Sequence, residues 1–224
     1  MQKTKQTITK MEHRKQVANN EIERRAFQEG VELRAKDGGG STLRGYAARF
    51  NSAYEMWHRD MGTFYEEVGR DAFKNADLTD VRVLFNHDPN QILGRTKSGT
   101  ARVGVDENGL WYEVDLPQSA EAVREAVSRG DITQSSWGFS LRESGDKWEI
   151  RTGGKKHRLL TDVETVFDAS PVTFPANPDT TVAKRSFDFV QQTEQETQQK
   201  LKNIEAEIEI LNALLEAEKL KNSL

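Results

Sequence analysis

The heptapeptide Gln134-Ser135-Ser136-Trp137-Gly138-Phe139-Ser140 alternates in a way that fits an extended segment buried on its apolar side. Continued to its flanks, the alternation puts Ser135, Trp137, Phe139 and Leu141 on one face and Ile132, Gln134, Ser136, Gly138 and Ser140 on the other. Ser136 is therefore the serine set apart from the large apolar side chains, next to a glycine that leaves space beside it. A hydroxyl pair in a buried strand needs a reason. Either one hydroxyl is a nucleophile awaiting a base within hydrogen-bond reach, or the strand is an edge with polar faces. This stretch alone leaves both readings open.

The segments around it predict a β-rich domain. A helix over 120–129, with Ser119 as its cap, Ala120, Val123 and Val127 on one face and Gly130 as its break, delivers the chain into the 132–141 strand. Before it, 101–105 and 110–116 flank Asp106-Glu107-Asn108-Gly109, whose Asn-Gly pair favours a hairpin turn. A second hairpin spans 31–50 around Asp37-Gly38-Gly39-Gly40-Ser41, and a third spans 148–160 around Gly153-Gly154. Residues 51–79 carry aromatics without a sustained period and are expected to be irregular, with a short helix near Asp71 to Asn75. From about 191 to 222, Leu201, Ile204, Ile208, Leu211 and Leu215 recur at spacings of three and four without proline or glycine. They predict an amphipathic helix able to form a short coiled coil.

Two further segments offer partners for a nucleophile. Val81, Val83 and Phe85 share a parity that His87 keeps before Asp88-Pro89 ends the strand, and an imidazole at a strand end is a place to hold a general base rigidly. A core or capping histidine is the competing reading there. Residues 162–174 read as a strand with Glu164, Val166 and Asp168 on one side. A carboxylate in so apolar a pattern requires a cationic or hydrogen-bonding partner, so Asp168 should have one. The other histidines are expected to be structural: His13 solvated in a polar arm, His58 packed on Trp57 in a loop, and His157 exposed at a hairpin mouth.

Composition narrows the classes. Charged residues make up 30% of the 224 and hydrophobic residues 35%, so part of the chain is expected to build no core. The net charge of -4, with no basic segment interleaved with aromatics, argues against nucleic acid as a partner. Without cysteine there is no thiol nucleophile, disulfide or thiolate metal site, and the four histidines lack metal-ligand spacing, so no metal or cofactor is expected. The apolar runs are too short for a membrane span, and the basic N-terminus lacks the apolar core of a signal peptide.

Three blocks together resemble the prohead (head maturation) protease family of tailed bacteriophages. They are Phe85-Asn86-His87-Asp88-Pro89 followed by Leu93-Gly94-Arg95, then Ser135-Ser136-Trp137-Gly138-Phe139, then Phe167-Asp168-Ala169-Ser170-Pro171-Val172-Thr173-Phe174-Pro175-Ala176-Asn177. Ile22-Glu23-Arg24-Arg25 and Gly45-Tyr46-Ala47-Ala48-Arg49-Phe50-Asn51 are similar to that family's first strands, so the resemblance runs from about 22 to 180. It implies His87 as general base, Ser136 as nucleophile and Asp168 as the group orienting the imidazole. The family usually has Glu-Val-Ser where this chain has Asp168-Ala169-Ser170, and Glu164 is the reserve for the third role.

The resemblance also implies the fold of herpesvirus assemblins, a mainly antiparallel β-barrel with surrounding helices, here in a β-rich α+β chain with a C-terminal amphipathic helix. The expected organisation is a disordered arm over 1–20, a serine protease domain over 21–182, and a polar linker with the helix over 183–224, both ends being candidates for removal. The implied task is cleavage of the scaffolding segment of the major capsid protein inside the prohead, in the host cytoplasm, together with self-processing. The C-terminal helix is a candidate for self-association or for recruitment to helical scaffold. A non-enzymatic capsid assembly factor is the main rival. An esterase fits less well, since G-x-S-x-G and a parallel βαβ alternation are missing.

Overall fold

A computed structural model describes residues 22–27, 30–36, 40–174 and 181–221 of the chain. Two compact units divide it, Met1–Val182 and Ala183–Leu224. The first is β-rich. Its five-stranded sheet runs in the order β1 (Glu23–Phe27), β10 (Gln134–Leu141), β13 (Val163–Val172), β6 (Arg82–Leu84) and β7 (Ile92–Arg95). A four-stranded sheet orders β11 (Asp146–Arg151), β12 (Lys155–Leu160), β5 (Gly62–Val68) and β4 (Tyr54–His58). The remaining sheet orders β2 (Glu32–Ala35), β3 (Ser41–Arg49), β9 (Gly109–Asp115) and β8 (Ala101–Val105).

Pairing is antiparallel except where β12 lies along β5 and β13 along β6. A β-rich α+β architecture is thus present, but none of the three sheets closes on itself, so the expected barrel is replaced by separate sheets. Their inner faces share one core, in which Leu43, Val68, Val83, Leu110, Val114, Trp137, Phe139 and Val166 are buried. Burying each such side chain contributes roughly 1.5–3 kcal/mol, and here that burial fixes the strand on which Ser136 sits. Trp137 stacks on Phe139 with centroids 3.9 Å apart and meets the edge of Phe73 at 5.2 Å.

The three predicted hairpins form as β2–β3, β8–β9 and β11–β12, and α1 (Glu121–Arg129) lies where a helix is expected, ending at Gly130 in the left-handed region. Its start differs from expectation. A short 3-10 turn at Gln118–Ala120 precedes it, and Ser119 makes no capping hydrogen bond.

The segment expected to be irregular holds the β4–β5 hairpin, whose aromatics conceal a period-two pattern of five to seven residues. The short helix expected near Asp71 is a run of turns instead, closed by Ala72 N–H on Gly69 O and Lys74 N–H on Asp71 O. His58 lies in β4, buried, and accepts a hydrogen bond at Nδ1 from Asp60 N–H. His157 is buried as well, contrary to expectation, because β12 is covered and the ring lies 3.2 Å from Glu67 Oε2. His13 lies outside the described residues.

The second unit is built on α2 (Thr181–Lys221), one helix that already runs through the segment expected to be a polar linker. Leu201, Ile204, Ile208 and Leu211 are each more than half exposed along it. No helix among the described residues is long and apolar enough to cross a membrane.

A buried ionic cluster, unforeseen from the sequence, joins the first two sheets. Arg25 on β1 binds Glu23 at 2.6 Å and Glu66, and Arg158 on β12 binds Glu23 at 2.7 Å, Glu66 at 2.8 Å and Asp146 at 2.7 Å. Tyr54 donates to Glu66. Burial pushes the Glu66 carboxyl up, but Arg25 and Arg158 outweigh it and hold the group down at about 2.

Candidate active site

Ser136 lies in the middle of β10, between Ala26 on β1 and Ser170 on β13. Directly opposed residues on neighbouring strands point to the same side, so Ser136 and Ser170 share a face, and so do Gly138 and Asp168 one row away. Asp168 can enter that row because Gly138 has no side chain. A Cβ there would collide with Asp168 Oδ2. The β10–β13 register shifts between Gly138 and Phe139, so Val166 pairs with Phe139 on the core face. The side shared by Glu164, Val166 and Asp168 in a regular strand is thereby broken. Glu164, the reserve for the third role, instead lies 3.9 Å from Arg142.

His87 is held differently from the sequence expectation. β6 ends at Leu84, and the imidazole stands in the β6–β7 turn, where Asn86 and His87 both have left-handed backbones with φ of 55° and 58°. Two successive non-glycine residues in that region are unfavourable unless their surroundings impose it. Asn86 supplies the restraint. Its N–H donates to Pro171 O at 3.1 Å, its Nδ2 donates to Thr173 Oγ1 at 3.1 Å, and its Oδ1 accepts from Thr173 N–H at 2.8 Å. Asp88 closes the turn from the other side by accepting from Asn90 N–H at 2.8 Å and Gln91 Nε2 at 3.2 Å, bonds that hold its carboxyl below the usual range.

The three predicted residues meet. His87 Nε2 is 2.7 Å from Ser136 Oγ, and Nδ1 is hydrogen-bonded to Asp168 Oδ1. Ser170 Oγ donates to the same carboxylate oxygen at 2.7 Å. An ionised Asp168 accepts, so the proton between it and the imidazole belongs on Nδ1, which leaves the Nε2 lone pair facing the serine hydroxyl. Ser136 and Asp168 are buried, while the His87 side chain keeps 14% of its surface. Such a row can pass a proton from the serine to the imidazole and leave an alkoxide to attack a carbonyl carbon.

The model of the caudovirus prohead serine protease family matches residues 29–196, a span that holds all three side chains. The chain belongs to this family. Neither a curated protein nor a solved structure shows significant similarity to it. Membership makes this a protein of the capsid-maturation protease class, which acts in the phage prohead.

Within this prohead protease family member, sequence reasoning saw the space at Gly138 beside Ser136 but not that Asp168 enters it, and it missed Asn86 and Ser170 as supporting residues. Asn86 sits directly beside His87, and Ser170 two residues after Asp168, inside the quoted blocks. Their roles depend on a left-handed turn and a strand register, neither of which leaves a mark in residue type. Ser135, the other serine of the pair, points to the opposite face and exchanges a 2.9 Å hydrogen bond with Tyr112 Oη.

Proposed function

We propose that the chain is a serine endopeptidase in which Ser136 is the nucleophile, His87 the general base and Asp168 the residue that orients the imidazole. The observation that carries this reading is the single imidazole hydrogen-bonded through Nε2 to Ser136 and through Nδ1 to Asp168. As Ser136 Oγ attacks a peptide carbonyl, its proton moves to His87 Nε2, and the imidazolium is stabilised by Asp168. The same proton then goes to the leaving amine, the C–N bond breaks and an acyl-enzyme remains. Water, deprotonated by His87, releases the acyl group and restores the serine.

The substrate is the scaffolding segment of the major capsid protein, cleaved inside the prohead in the host cytoplasm, and the chain also processes itself. The exposed Leu201, Ile204, Ile208 and Leu211 stripe of α2 recruits the enzyme to helical scaffold or to a second copy of itself. Co-expression with the capsid protein, comparing wild type with Ser136→Ala, tests the reading. Cleavage is expected to fall by about 10⁴-fold or more in the variant. Cleavage by neither protein, with capsid-like particles still formed, would instead favour a non-enzymatic assembly factor.

A further inference from the structure

The face of the five-stranded sheet that carries Ser136 extends onto the edge strand β1, where Arg24 is opposite Gly138 and Ala26 is opposite Ser136. Since strand neighbours alternate, Arg24 lies on the Ser136 side, and Glu23 and Arg25 lie on the side of the buried ionic cluster. The space over Gly138 bears this out, because a Cβ there would meet Ile22, two residues before Arg24, at 3.3 Å.

Arg24, like Arg59 and Arg70, has no carboxylate partner among the described residues, and its Nε is also buried. Arg25, Arg82, Arg95, Arg102, Arg142 and Arg158 each have a carboxylate partner, whereas no side-chain hydrogen bond or ion pair joins Arg24 to any described residue. Its Nε is nonetheless buried without an acceptor, in a side chain that is only partly covered. A guanidinium N–H shielded from water in this way calls for an acceptor beyond the described residues. The nearest carboxylate along the row, Asp168, is engaged by His87 and Ser170. The Arg24 α-carbon stands one strand over and two residues along from Ser136, about 8 Å away, so its side chain reaches residues bound next to a scissile bond.

We propose that Arg24 is a specificity-determining residue that binds an acidic side chain of the peptide substrate close to the scissile bond. The proposal rests on the Ser136 reading above and adds the substrate class. A guanidinium binds a carboxylate through two parallel hydrogen bonds, which an amide side chain cannot match. β1 lies before the residues matched by the family model.

The test uses the full chain as wild type, Arg24→Gln and Arg24→Glu, each incubated with a peptide library from a digested bacterial lysate, with cleavage sites read by mass spectrometry. Wild type should enrich Asp and Glu at one position within three residues of the cut. Arg24→Gln should lose that enrichment, with kcat/KM on an acidic peptide down roughly ten- to hundredfold and on its amide counterpart unchanged. Arg24→Glu should favour Lys or Arg at the same position. A fluorophosphonate probe should label all three proteins at the same rate, which shows them folded and competent. Labelled wild type without acidic enrichment, or the same profile in all three proteins, overturns the proposal. Absence of labelling in wild type overturns the serine reading on which it rests.

Discussion

Two buried polar clusters lie on opposite faces of the β1–β10 strand pair, and they are built to opposite ends. On one face Arg25 and Arg158 are locked to Glu23, Glu66 and Asp146, with several hydrogen bonds to each guanidinium. On the other, Ser136, His87, Asp168 and Ser170 form a single file in which each group has one or two neighbours. The ionic cluster has no proton to move, because its guanidiniums stay charged at any working pH. The serine cluster contains an imidazole, which can take up and release a proton, between a hydroxyl and a carboxylate. Saturation makes a fixed strut, and an unsaturated chain of hydrogen bonds makes a relay. The strands are shared, so the strut fixes the backbone from which the relay is hung.

The largest effect expected from breaking one side without the other is on catalysis. Asp168→Asn keeps the shape of the third residue but removes the charge that holds the Nδ1 proton, and kcat should fall by about 10⁴-fold. Thermal melting should move little, since Ser170 can still donate to the amide oxygen. A melting point lowered as far as that of an ionic-cluster variant would erase the distinction between the two faces.

The complementary cut is Arg158→Met. It strips the buried carboxylates of Glu23, Glu66 and Asp146 of a shared partner, and should destabilise the protein by about 3–5 kcal/mol in urea unfolding. The folded fraction should react with a fluorophosphonate at the wild-type rate. The same cluster sets an acid limb. Glu66 is held below its ordinary 4.5, at about 2, so its contribution is fully present above pH 4.5 and is lost as pH falls toward 2. In Glu66→Gln the stability curve should be lower at neutral pH and flatter between those limits, as followed by urea unfolding at successive pH values.

How much of this was legible follows from what each residue's position depends on. Ser136 could be placed because β10 is regular along most of its length and alternation alone decides its face. Asp168 could be flagged because a carboxylate in an apolar strand demands partners, and it has two. That Glu164 lies near Arg142 rather than in the Asp168 row could not be read, since two register shifts alter the parity of what precedes Asp168. For His87 the local reading failed: a pinned left-handed turn, rather than strand parity, presents the ring to Ser136. The ionic cluster was invisible because Glu23, Arg25, Glu66 and Arg158 come from three strands far apart in the chain, and charged residues ordinarily mark solvent.

That pinned turn gives a test of intermediate size. Asn86→Ala removes both side-chain bonds to Thr173 and leaves His87 in an unfavourable backbone without its clasp. Turnover is expected to drop roughly ten- to hundredfold. Asn86→Asp keeps the acceptor for Thr173 N–H and should recover part of the loss. Equal activity in Asn86→Ala and wild type would mean that Asp168 alone positions the ring.

The smallest effect separates the two adjacent serines. Ser135 Oγ and Tyr112 Oη satisfy each other in a buried pair, packed so closely that a Cβ at Gly45 would lie 2.7 Å from one and 2.8 Å from the other. Burial pushes the Tyr112 phenol well up, so it stays neutral and acts only as a hydrogen-bond partner. Tyr112→Phe leaves the Ser135 hydroxyl alone and should cost about 1–2 kcal/mol. Adding Ser135→Ala removes the orphaned hydroxyl, so the double variant should regain much of that loss and show a coupling well above the noise of a double-mutant cycle. Fluorophosphonate labelling should be unchanged in all of these variants. Loss of labelling in Ser135→Ala would carry the relay across the strand to the wrong face, where the hydrogen-bond partner of Ser135 is Tyr112, and would refute the division of β10 into a structural side and a chemical one.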